Sequence, residues 1–191
     1  ENIVLNGESY GELKTKLGET TPFLNLPLLE VDGQAFTESK AIVRYVGAIG
    51  GLYPEDPLKR LACDEIIDFV EGFFNAIGST FVHTELEDKI KARVALVEEG
   101  GAMEKLWKKL EAKLAGKSFI VGDELTIADI ALFGCLNVPV SGFLDGFPLD
   151  SLDKYANITA YRKHIGSHEK VVTRYADLTE GPLFTGYKMN K

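Results

Sequence analysis

The sequence predicts a chain in two parts, a small α/β unit followed by an all-helical one. Three observations carry that prediction. The first 50 residues switch quickly between short strand-like and helix-like pieces. From residue 58 the apolar residues recur every three to four positions almost to the end. Between the two patterns lies Leu52-Tyr53-Pro54-Glu55-Asp56-Pro57, a linker with two prolines. The expected boundaries are 1–50 for the α/β unit, 51–57 for the linker and 58–191 for the helical unit.

In the first unit, Ile3-Val4-Leu5 is a short apolar run that ends at the turn pair Asn6-Gly7. Tyr10 to Leu17 suits a short helix, with Tyr10 and Lys14 one turn apart on a common face. Leu26 to Val31 reads as a buried strand, Asp32-Gly33 as a tight hairpin turn, and Gln34-Ala35-Phe36 as the return strand. A helix then follows, capped by Thr37 or Ser39, with Ala41, Ile42, Tyr45, Val46 and Ile49 as its apolar face. Gly50-Gly51 ends it.

In the second unit, Asp56-Pro57 pairs a good N-cap with proline at the first helical position. Leu58, Ala62, Ile66, Phe69, Phe73 and Ile77 then repeat at helical spacing. A second helix is expected over about 85–97, broken at Gly100-Gly101, and a third carries Met103, Leu106, Leu110 and Leu114 on one face. Its lysines, Lys105, Lys108, Lys109 and Lys113, are interleaved with Glu104 and Glu111 and read as a solvated face. At Thr126-Ile127-Ala128-Asp129 the spacing makes a capping box with aspartate in the third position, and Leu125 with Ile130 makes a hydrophobic staple. This motif is read as structural, the start of a buried helix.

Composition narrows the function. The 191 residues are 45% hydrophobic and 26% charged, ordinary for a folded soluble protein. A net charge of -8 argues against a nucleic-acid partner, which needs clustered Lys and Arg. No apolar run reaches the ~18 residues of a membrane span, so no membrane partner is expected. Cys63 and Cys135 lie far apart in helix-like segments, with no metal-ligand spacing, and fit a reducing, cytoplasmic compartment. His164 and His168 are four apart, but Gly166-Ser167 between them breaks the helix that a metal pair needs. No metal is expected. Phe69, Phe73 and Phe74 read first as core, with some able to line an apolar pocket.

Thr21-Pro22-Phe23-Leu24-Asn25-Leu26-Pro27-Leu28-Leu29-Glu30-Val31-Asp32-Gly33, followed by Thr37-Glu38-Ser39-Lys40-Ala41-Ile42, resembles the glutathione-binding core of cytosolic glutathione transferases, their sigma-like branch above all. Gly122 to Ile130 resembles the start of the buried helix in that family's C-terminal domain. The resemblance implies a thioredoxin-like domain before the helical one. It also implies a homodimeric enzyme with glutathione as co-substrate, conjugating its thiolate to a small-molecule electrophile, or isomerising or reducing a substrate with it. It implies a cis peptide at Leu26-Pro27, turning Leu26 so that its backbone meets the cysteinyl part of glutathione. Asn25 belongs to the same stretch. Ser39 and the first amides of its helix would take the γ-glutamyl carboxylate, and Glu38 the γ-glutamyl ammonium. Tyr10 with Lys14, or Lys16 in its place, would hold the glycyl carboxylate. In the first long helix Asp64, Asp68, Glu71 and Asn75 form a stripe, from which Glu71, or else Asp68, would reach the partner subunit's glutathione amine. A solvated acidic face is the other reading of that stripe.

The family's chemistry is stabilisation of the glutathione thiolate, since a free thiol has a pKa of roughly 8.5. The Tyr, Ser or Cys that donates to it is expected upstream of Glu1, together with a first strand and helix, so the catalytic residue is unknown. The competing expectation is a non-catalytic module on the same fold, crystallin-like or associated with an elongation factor.

Overall fold

The structure, a computed structural model, describes residues 7–17 and 26–176. The expected strand at Ile3-Val4-Leu5 and the site residue Asn25 lie outside the described residues. Two compact units are present, Glu1–Gly51 and Leu52–Lys191.

In the first unit, helix α1 spans Gly7–Leu17. Strands β1 (Leu29–Val31) and β2 (Gln34–Phe36) pair antiparallel, Leu29 opposite Phe36 and Val31 opposite Gln34. That register leaves Asp32 and Gly33 as the two-residue turn. Both have positive φ, 50° and 77°, as a type I′ turn requires, and glycine takes the second position at no steric cost. Helix α2 follows over Ser39–Ile49 and closes at Gly50, with Gly51 at φ 67°. Only Gly47 of α2 is buried. The apolar face expected to enter a core is open among the described residues: Tyr45, Val46 and Ile49 are 45%, 51% and 70% exposed. Two three-residue strands cover too little area to bury it. Ala41, Ile42 and Tyr45 instead line, with Leu29, Val31 and Phe36, a hollow of about 420 Å³ against the hairpin.

The second unit is helical: α3 (Pro57–Gly78), a 3₁₀ turn (Ser79–Val82), α4 (Leu86–Val97), α5 (Ala102–Lys113), α6 (Ile127–Asn137), α7 (Ala156–Gly166) and α8 (Glu169–Tyr175). Helix α3 starts as expected, with the Asp56 carboxylate accepting the Lys59 N–H at 2.8 Å and proline at the first helical position. The core is apolar and continuous. Phe73, Ile66, Trp107, Leu132, Leu136 and Ile158 are essentially fully buried, each such side chain contributing about 1.5–3 kcal/mol. Phe69 packs edge-on against Phe73 at 5.5 Å, whereas Phe74 is 48% exposed.

Helix α6 is the buried centre, and the capping box forms at its start. The Asp129 carboxylate accepts the Thr126 N–H and the Thr126 hydroxyl, both at 2.8 Å. It also accepts the Ile120 N–H and the Tyr161 hydroxyl, again at 2.8 Å each. The box thus ties the preceding loop and α7 to α6, a wider role than capping alone. Ile130, the outer member of the expected staple, remains 39% exposed.

The lysine-rich face of α5 is corrected on its two glutamates. Glu104 is buried and pairs with the exposed Lys108 at 2.6 Å, which holds its carboxyl below the usual range. Glu111 accepts the Asn157 and Ile158 N–H groups, both at 2.9 Å. It caps α7 from another helix, because the first amides of a helix lack intrahelical partners.

Candidate functional site

The hairpin ladder ends at Leu29 opposite Phe36; Leu26-Pro27 come just before that end in sequence and Glu38-Ser39 just after it. The Leu26-Pro27 peptide is cis, as the resemblance implied, and Leu26 is 48% exposed. Leu26-Pro27 and Glu38-Ser39 therefore flank the hairpin in sequence, the second pair where β2 hands over to α2.

The entry into α2 differs from expectation. Neither Thr37 nor Ser39 is the N-cap. Glu38 is, with φ 72° and ψ 100°, and no side chain caps the helix. Ser39 already has helical geometry as the first residue of α2, so it is past the position from which a hydroxyl caps. Both side chains are exposed. A positive φ at a non-glycine residue costs of order 1–3 kcal/mol, and such strain gathers where ligands are held. The first amides of α2 lie beyond the reach of intrahelical acceptors and favour an anion. Next to them stands a carboxylate, Glu38. A donor set and an acceptor this close suit a ligand carrying a carboxylate and an ammonium on one carbon, the head group of an α-amino acid.

Tyr10 and Lys14 sit one turn apart on α1, Tyr10 half-buried and Lys14 exposed. Lys16 is the third residue of that group, and its side chain lies outside the described residues.

Of the α3 stripe, Asp68, Glu71 and Asn75 are exposed, while Asp64 is half-buried. The Asp64 carboxylate accepts the Tyr53 hydroxyl, at 3.1 Å and 3.0 Å to its two oxygens. Asp64 thus has a partner within the chain that sequence spacing did not reveal. The signal was available only as a phenol eleven residues upstream in the linker.

The remaining polar features are structural. Burial pushes the Cys135 thiol up to about 12 and raises Cys63 as well, so neither thiol is poised to react. His164 lies in the last turn of α7, and His168 is the N-cap of α8, its Nδ1 accepting the Lys170 N–H at 3.2 Å. Both rings meet Phe119 edge-on, at 5.0 Å and 6.3 Å. Among the described residues, no three His, Cys, Asp or Glu side chains group as a metal site, and no helix is long and apolar enough to cross a membrane.

The family model for the C-terminal domain of glutathione S-transferases matches residues 73–169. Glutathione S-transferase 4 of Caenorhabditis elegans is 33% identical over 149 residues, 75% of this chain and 72% of that protein. Hematopoietic prostaglandin D synthase of Gallus gallus is 29% identical over 150 residues, 78% of this chain and 71% of that one. The solved glutathione S-transferase of Ascaris lumbricoides superposes with a TM-score of 0.73 at 28% identity, covering 95% of this chain and 86% of that one. The fold is accordingly that of these enzymes, a thioredoxin-like domain followed by a helical one.

Proposed function

Because the chain belongs to the glutathione S-transferase family, we propose that it is a cytoplasmic enzyme using glutathione as co-substrate, joining the glutathione thiolate to small electrophiles. The observations that support the reading are the cis Leu26-Pro27 peptide ahead of the hairpin and the positive-φ entry at Glu38 into a helix that no side chain caps. In this reading the γ-glutamyl carboxylate lies against the Ser39 hydroxyl and the first α2 amides, and Glu38 receives the γ-glutamyl ammonium. The main chain of Leu26 aligns the cysteinyl residue, and Asn25 is assigned to the same binding stretch. Tyr10 and Lys14 take the glycyl carboxylate. Each contact orients the tripeptide, fixing where the thiol sulfur stands for attack on an electrophile.

Calorimetric titration with glutathione tests the site. Replacing Ser39 by Ala removes a hydroxyl from a charged ligand and should weaken binding roughly tenfold to 150-fold. Unchanged affinity would contradict the assignment. The protein is further read as a homodimer in which Glu71 faces the partner's γ-glutamyl ammonium. Sedimentation at micromolar concentration should give twice the 21.0 kDa chain mass. Glu71→Gln should weaken glutathione binding and leave the dimer intact.

A second reading is isomerisation with glutathione. It is favoured by the similarity to a protein named prostaglandin D synthase. Formation of prostaglandin D without net consumption of glutathione would select it over conjugation. Glutathione binding without turnover of either kind would favour a non-catalytic module.

A further inference from the structure

Residues 52–57, at the start of the second unit, have the two prolines of a loose linker, yet several of them bond to its helices. The Leu52 carbonyl accepts the Ile127 N–H at 2.9 Å, at the very start of α6. The Tyr53 hydroxyl donates to Asp64 on α3. The Tyr53 ring lies under the Arg60 guanidinium, 5.3 Å from centroid to carbon, and Arg60 Nε donates to the Pro54 carbonyl. Asp56 closes the segment by capping α3 at Lys59. Immediately before it stand Gly50 and Gly51, both exposed, with Gly51 at φ 67° and no heavy atom within 4 Å of the place its Cβ would occupy.

We infer that residues 52–56 are a strap clamped to the helical unit, that Asp64 is the positioning residue holding it through Tyr53, and that Gly50-Gly51 is the joint between the units. Asp64 is thereby committed to the chain. The inference requires no ligand and stands whether or not glutathione binds.

The Ile127 amide is a direct reporter. As the first residue of α6 it has no intrahelical acceptor, so its protection from exchange comes from the Leu52 carbonyl. The Ile130 amide, bonded to the Thr126 carbonyl at 3.2 Å, reports on α6 itself. Hydrogen exchange followed by NMR on the whole chain should show Ile127 protected in the parent. Tyr53→Phe and Asp64→Ala should each speed its exchange at least tenfold, with Ile130 unchanged. The double variant should add nothing beyond either single change, because both remove one interaction. Asp64→Asn keeps an acceptor for the phenol and should retain most of the protection. The inference is overturned if Ile127 exchanges freely in the parent, if Asp64→Ala leaves it protected, or if Ile127 and Ile130 loosen together.

Discussion

Helices α2 and α6 are each eleven residues long, and their N-termini are opposites. At α6 a buried carboxylate fills the terminus. Asp129 is 0% exposed and gathers hydrogen bonds from Thr126, Ile120 and Tyr161. At α2 no side chain caps the helix, the entering residue has a positive φ, and Glu38 and Ser39 are exposed. A terminus saturated by its own chain is a structural joint. One whose amides lack a side-chain cap, on a strained approach, retains the capacity to hold an anion. Two helix starts that both look like polar N-cap motifs thus differ: one is closed by its own chain, and the other is where the proposed reading places the ligand.

The contrast predicts where substitutions act. The largest effect is expected at Asp129→Ala, which strands several buried donors at once. It should cost about 3–5 kcal/mol in urea unfolding, given about 1–3 kcal/mol for each unsatisfied buried group. A loss below about 1 kcal/mol would show that the box is not the keystone described here. Thr126→Ala removes only the cap residue and should cost about 0.5–2 kcal/mol. Glu111→Gln tests whether a cap supplied from another helix behaves similarly. It should cost about 1 kcal/mol, through the amides of Asn157 and Ile158.

The smallest effect is expected at Glu104, where the hydrogen bond from Lys108 holds the carboxyl below its ordinary 4.5. A folded-state pKa depressed in this way contributes stability above the unfolded value, and that contribution is lost as pH falls through the folded one. Glu104→Gln should therefore lower stability at neutral pH, where the ion pair contributes, leave it nearly unchanged in acid, and so flatten the acid limb of a stability–pH curve below about pH 4.5. An unaltered acid limb would remove the ion pair from the account.

What the sequence made legible follows the range of each interaction. Asp32-Gly33, Asp56-Pro57 and Thr126 with Asp129 are signals confined to a few neighbours, and each appears in the structure as read. The partners that complete the Asp129 site are nine and 32 residues away in sequence, and no local pattern encodes them. Glu111 looked solvated because its neighbours are lysines, while its real partners lie 46 and 47 residues further on. The start of α2 was misplaced for another reason. Ser39 has the chemistry of a cap, but a positive φ at glutamate is rare enough that composition argues against it. Leu26, Pro27, Glu38 and Ser39 were singled out by resemblance, and of what it implied about them the cis peptide at Leu26-Pro27 is present.

The division between the two helix starts is tested most directly by measuring Ser39→Ala and Thr126→Ala side by side, each for urea unfolding and for glutathione affinity. Ser39→Ala should change stability by less than about 0.5 kcal/mol, as an exposed substitution does, while weakening glutathione roughly tenfold or more. Thr126→Ala should lose about 0.5–2 kcal/mol of stability and keep the parent affinity in the folded fraction. The opposite pattern, with affinity lost at Thr126 and retained at Ser39, would contradict the account.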